Sequence, residues 1–185
     1  MKKPIALFLT LVLATSSWAA NTKPIEEVFQ RYWSAFAKKD FTKAAADVLP
    51  SDLEAIKSEL VPALIAVSTS KEKDVQEFVT TFFGKTVGKS RETLPPAEAF
   101  AGLMRVMTAG NPQLFDVLKE ASTTVVFVRT PDADNAEVHF QISLRGQGDM
   151  DVEPLTRKNG RWWVKLKEDP KELAAQIKEM AAKKP

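Results

Sequence analysis

His139 is the only histidine in the chain, and there is no cysteine. A metal site would therefore need carboxylates as its other ligands, and no clustered ligand spacing accompanies His139. Serine–histidine catalysis would need the same residue, which strand alternation places on a polar face, where a lone imidazole is most often solvated. Asp132, Asp134, Asp149 and Asp151 gather near strand ends, and a buried carboxylate pair could do acid–base work. Turn chemistry explains them more simply, because Asp and Asn satisfy backbone donors locally. Gly84-Lys85-Thr86 matches only the end of a phosphate-binding loop, since the preceding strand and earlier glycine are missing. No catalytic residue, metal ligand or cofactor is assigned; an enzyme would have to use Asp132, Asp149 or His139.

The stretch that would position such groups is Ser122–Lys167, read as an antiparallel meander. In Glu137–Arg145 the alternation collects Val138, Phe140, Ile142 and Leu144 on a dry face and His139 with Gln141 on a wet one. Val125, Val126, Phe127 and Val128 form a run within Ser122–Thr130, which predicts a strand covered on both faces, central in the sheet or overlain by a helix. Pro131–Asn135 is a turn. Gly146 and Gly148 predict a second turn before a strand over Met150–Lys158, in which Pro154 belongs at an edge or bulge. Asn159-Gly160 is the strongest hairpin signal, because a type I′ turn needs positive φ at both central positions. On the last strand, Arg161–Lys167, Trp162 faces the core and Trp163 the wetter side, near Arg157 or Arg161.

Everything before the meander reads as helix. Pro24, Glu26 and Glu27 suit a helix start after Thr22. Ile25, Val28, Phe29, Tyr32, Trp33 and Phe36 then form one apolar stripe, which is core and also the best candidate wall of an apolar pocket. Asp40 caps a second, short helix that Pro50 stops. Ser51-Asp52-Leu53-Glu54 is a capping box opening a third, which Pro62 should kink or divide. A fourth helix carries Val75, Phe78, Val79, Phe82 and Phe83 and ends at Gly84. A fifth runs from Pro95-Pro96 to Gly110, a short sixth starts at Asn111-Pro112 with Leu114, Phe115 and Leu118, and a last one follows Pro170. The fold class is α+β: a helix-rich N-terminal half on a C-terminal curved antiparallel meander, closed by a C-terminal helix.

Lys2 and Lys3 precede the apolar run Ile5–Ala14, and Ser17-Trp18-Ala19-Ala20 offers small residues for cleavage after Ala19 or Ala20. These features predict a signal peptide over residues 1–20, the general secretory route and a bacterial periplasmic protein with one domain over 21–185. The run is too short for stable membrane insertion. The chain has 26 basic and 24 acidic residues, and loss of Lys2 and Lys3 would leave it neutral. No basic stripe is present of the kind that phosphate contacts require, so nucleic acid is not an expected partner.

The aromatic first helix, the Lys39–Ala45 turn into a second helix, and the meander closing on Asn159-Gly160-Arg161-Trp162-Trp163-Val164 resemble the NTF2-like (cystatin-like, SnoaL-like) superfamily. The resemblance covers Ile25–Leu49 and Ser122–Leu166. It implies a curved sheet wrapped round a long helix to form a cone with an apolar cavity, in a superfamily that includes isomerases, cyclases, binding modules and dimerising domains. Its enzymes carry an Asp or His inside the cone, whereas the inward positions of Glu137–Arg145 are apolar. The expectation is a non-catalytic binding domain for a small apolar ligand or an envelope protein partner. Tyr32, Trp33, Phe36, Phe140 and Trp162 would line its ligand site, and Trp163 would lie at a partner interface that could serve a homodimer. An isomerase or hydrolase is the alternative, and a structural or stress-related envelope protein a further one.

Overall fold

The computed structural model describes residues 21–110, 112, 113, 118, 120–144 and 147–182. The predicted signal segment, Leu114 and Phe115 of the predicted sixth helix and Gly146 lie outside the described residues, whereas Leu118 of that helix is described and buried in the core. The helices are α1 (Lys23–Ala37), α2 (Phe41–Ala45), α3 (Pro50–Val67), α4 (Lys73–Phe83), α5 (Pro96–Gly110) and, after the sheet, α6 (Pro170–Ala182). The strands β1 (Ser122–Arg129), β2 (Asn135–Leu144), β3 (Gln147–Lys158) and β4 (Arg161–Val164) form one antiparallel meander in the order β1-β2-β3-β4. The architecture is α+β, as the patterning predicts.

Local chemistry explains the punctuation. Asp40 accepts from the Lys43 amide at 3.3 Å and caps α2. Asn159 and Gly160, at φ 52° and 78°, make the tight link between β3 and β4, and Gly84 ends α4 at φ 54°. Three signals resolve differently. Pro50 opens α3 rather than stopping α2, and Ser51 does not cap, because Leu49 occupies the cap position. The Asp52 carboxylate instead accepts the Leu166 amide at 3.0 Å, tying α3 to the chain after β4. Pro62 leaves α3 undivided. Pro62 and Ser58 lie on the exposed side of the helix, so the carbonyl that loses its partner can turn to water.

On one face of the sheet α1 lies against β1, β2 and β4, and the other helices pack onto α1 through α2 and onto one another. Phe140 of β2 is fully buried between two α1 rings, with centroids 4.7 Å from Phe29 and 4.9 Å from Trp33. Trp33 Nε1 donates to Thr123 Oγ1 at 2.6 Å, which anchors α1 to β1 as well.

The two sheet edges differ. At β4, the Leu49 amide donates to the Val164 carbonyl and the Val164 amide to the Asp47 carbonyl, each at 2.8 Å, so the α2–α3 link pairs with that edge. At the other edge, β1 corrects the expectation of a strand covered on both faces: Val126 is 53% and Phe127 50% exposed. A register irregularity between Val125 and Phe127 interrupts the alternation, so a continuous apolar run need not be a doubly covered strand. Pro154 sits in the interior strand β3, where the β4 ladder ends and the Lys165 amide donates to the Pro154 carbonyl at 2.9 Å. The carbonyl that the ring leaves without a ladder donor is that of Lys165, an exposed residue just past β4, where water can take the donor's place.

Candidate functional site

The five residues expected to line an apolar site lie on the sheet's inner side, and most of them touch. Trp33 stacks on Phe36 at 5.5 Å and Phe36 on Tyr32 at 5.9 Å, while Phe140 completes the group against Trp33. Tyr32 and Phe140 are buried; Trp33, Phe36 and Trp162 are partly buried and pack on the same core. None of the four clefts described for the chain is lined by any of these five.

Register on β3 brings to that inner side a carboxylate that sequence reasoning passed over. Glu153 pairs with Val138 and Leu155 with Ala136, so both point inward, and Glu153 is 8% exposed. Burial pushes its carboxyl up to about 7; Asp151 and Glu168 add to the rise, and Lys167 opposes it. Burial, with the Glu153 and Glu168 charges, also holds the Tyr32 phenol above its ordinary value. A signal was present, since Asp149, Asp151, Glu153 and Leu155 alternate on one face. Pro154 obscured it by making the strand itself look doubtful.

The residues named for catalysis do not converge. Asp132 accepts from Asn135 Nδ2 and from the Asp134 amide in the β1–β2 turn, and these bonds lower its pKa. Asp149 is exposed near the start of β3. His139 faces the outer side, its ring stacked on Phe127 at 4.0 Å. Its Nε2 is buried, has no hydrogen-bond partner among the described residues, and lies 3.6 Å from a Glu137 carboxylate oxygen.

Trp163 is half-buried on the outer side under the Arg161 guanidinium, whose carbon lies 3.9 Å from the ring centroid. Arg161 reaches from there to Asp47. That carboxylate, 6% exposed, accepts from Arg31 Nη2 at 2.8 Å, from Arg31 Nε at 3.2 Å and from Arg161 Nη2 at 3.2 Å. Arg31 and Arg161 line a polar cleft of about 870 Å³ between α1, α2 and the start of β4.

A second cleft, of about 560 Å³, opens between α5 and α6. Phe78, Leu103, Val106, Met107 and Leu173 form its walls, with Glu168, Asp169 and Glu172 at one side. Leu103 is nearly buried, whereas Met107 is 50% exposed. Asp169 accepts the Lys171 amide at 2.9 Å and so belongs to the start of α6.

Among the described residues there is no group of His, Cys, Asp and Glu that could hold a metal ion, and no helix long and apolar enough to cross a membrane. Comparison with protein-family models, curated proteins and solved structures yields no match to this chain.

Proposed function

We propose that this is an exported, non-catalytic binding domain of the NTF2-like kind, whose small apolar ligand occupies the α5–α6 cleft. The observation that carries the reading is the cleft's size and lining. Its volume of about 560 Å³ falls within the roughly 300–1,000 Å³ typical of small-ligand sites, and such sites combine apolar walls with a few polar groups. The inner aromatic group supports it less well, because its rings fill the space between α1 and β2 with one another. Catalysis has weaker support too: Glu153 and Tyr32 are 8% and 6% exposed, and neither lines a described cleft. Export and a periplasmic location rest on Lys2, Lys3, Ile5–Ala14 and the small residues to Ala20.

Native mass spectrometry of the mature protein purified from a bacterial periplasm tests the reading. A co-purified apolar molecule should be lost on denaturation, and should be absent from Met107→Glu, which places a charge on the cleft wall at an exposed position. A ligand-free wild type, together with equal uptake of an apolar fluorescent dye by both proteins, would refute it.

A second reading has its own observation. The sheet's outer side exposes Phe127 (50%) and Met150 (54%), and by register both lie on the face that carries Trp163. An exposed apolar face of this kind suits a protein partner or a homodimer. Sedimentation of Phe127→Ser and Trp163→Ala beside wild type decides it: unchanged association in both excludes a homodimer through this face.

A further inference from the structure

The geometry points to a second and independent site: the cleft between α1, α2 and β4 binds a phosphate-type oxyanion on Arg31 and Arg161. Asp47 is the reason those two cations are held side by side. Arg31 alone gives its carboxylate a two-bond clamp through Nε and Nη2, and that already neutralises the buried charge. Arg161 is a second cation on the same carboxylate, and its Nη2 donates at 3.0 Å to the Ala46 carbonyl as well. Glu27 also acts on Arg31, but the cleft is lined by Arg31, Lys38, Lys43 and Arg161 against Glu27, Asp40 and Asp47, so one positive charge remains.

The unused donors are also oriented. A guanidinium carries five N–H groups in a rigid fork. Here Asp47 and Ala46 take only Nε and Nη2 of Arg31 and Nη2 of Arg161. Nη1 of each arginine has no protein acceptor among the described residues, and the two side chains are 55% and 50% exposed on a cleft that both line. The Trp163 ring lies beneath the Arg161 guanidinium, its centroid 3.9 Å from the guanidinium carbon, and supports it from one side. Lys38 and Lys43 line the same cleft, opposed by Glu27 and by Asp40, which also caps α2. Two held forks flanked by lysines suit a multi-oxygen anion better than a single carboxylate. The cleft, at about 870 Å³, has room for an organic body on the phosphate.

The test is a titration of the mature protein with inorganic phosphate and with glycerol phosphate at fixed ionic strength. Binding is followed through the arginine Nε–H signals and tryptophan fluorescence. Saturable binding is expected, with no response to chloride. Arg161→Lys keeps a cation on Asp47 but removes the fork, and should weaken binding about tenfold. Glu27→Gln removes an exposed opposing charge and should tighten binding several-fold; this variant carries the test if Arg161→Lys fails to fold. Tighter binding of inorganic phosphate assigns a free anion, and tighter binding of glycerol phosphate assigns an esterified one. Absence of saturation with both anions, or affinity unchanged in both variants, overturns the proposal.

Discussion

Asp47 and Glu153 are buried to nearly the same extent, 6% and 8% exposed, but their surroundings treat the charge in opposite ways. Asp47 lies where α1, the α2–α3 link and β4 meet, and two arginines reach it from α1 and β4. Its carboxylate is paired with both guanidiniums, and the Asp47 bond raises the Arg31 pKa. Glu153 faces the inner side of β3, where Asp151 and Glu168 add like charge and only Lys167 opposes them. With its carboxyl held at about 7, the neutral form persists well above the ordinary carboxylate range. Burial alone therefore does not mark a carboxylate as functional; the partner that the fold places opposite it decides whether it acts as a tie or as a proton-holding group.

The sharpest way to break this comparison is Asp47→Ala. It removes three charge-assisted hydrogen bonds that join α1 to β4. Because both arginines are half-exposed and can rehydrate, the cost should be about 3–4 kcal/mol rather than the sum of the bonds. Urea denaturation at pH 7 measures it, and a loss below about 1 kcal/mol would show that Asp47 is not a tie. Glu153→Gln should act in the other direction. The Glu153 carboxyl rises from its ordinary 4.5 to about 7 on folding, so between those values the folded protein binds more protons than the unfolded one. Stability from this group is fully present below pH 4.5 and is lost as pH rises through about 7. The glutamine variant should thus match wild type in acid and exceed it by about 2–3 kcal/mol above pH 7. Parallel stability–pH curves for the two proteins would remove Glu153 from the account.

The contrast also separates what the residues disclose in order from what only three dimensions reveal. Turns, caps and most helix limits were legible at Asp40, Gly84, Pro96 and Asn159-Gly160, because each acts through its own backbone angles and nearest amides. The apolar alternation of β2 was legible for the same reason. Edge position was not: Val125–Val128 has the composition of a covered strand, yet among the described residues β1 has a neighbouring strand on one side alone, which depends on where the other strands lie. Both buried carboxylates were missed for a related reason. Asp47 is separated from Arg31 by 16 positions and from Arg161 by 114, so nothing local announces their meeting. Trp163 was correctly expected beside Arg161, a neighbour two residues away on the same strand face. The cleft walls at Phe78, Met107 and Leu173 come from three helices, and each read as an ordinary core stripe by itself.

The smallest expected effect gives the finest test of the Glu153 half. Lys167 Nζ lies 3.2 Å from Asp151 Oδ1, with the two side chains 43% and 52% exposed, so their ion pair contributes little by itself. Its influence should pass through Glu153, whose pKa Lys167 lowers. Removing Lys167 takes away that opposing charge and also leaves the Asp151 charge unmatched beside Glu153, and both changes favour the protonated form. Lys167→Ala should therefore raise the Glu153 midpoint followed by carboxyl-carbon NMR. Stability should change little below pH 4.5 and should fall by less than about 1 kcal/mol above neutrality, after allowance for solvent screening. An unmoved Glu153 midpoint would mean that solvent screens Lys167 from the buried carboxyl, and that burial with the Asp151 and Glu168 charges sets its proton affinity. A raised midpoint would make the β4–α6 link the place from which that affinity is tuned.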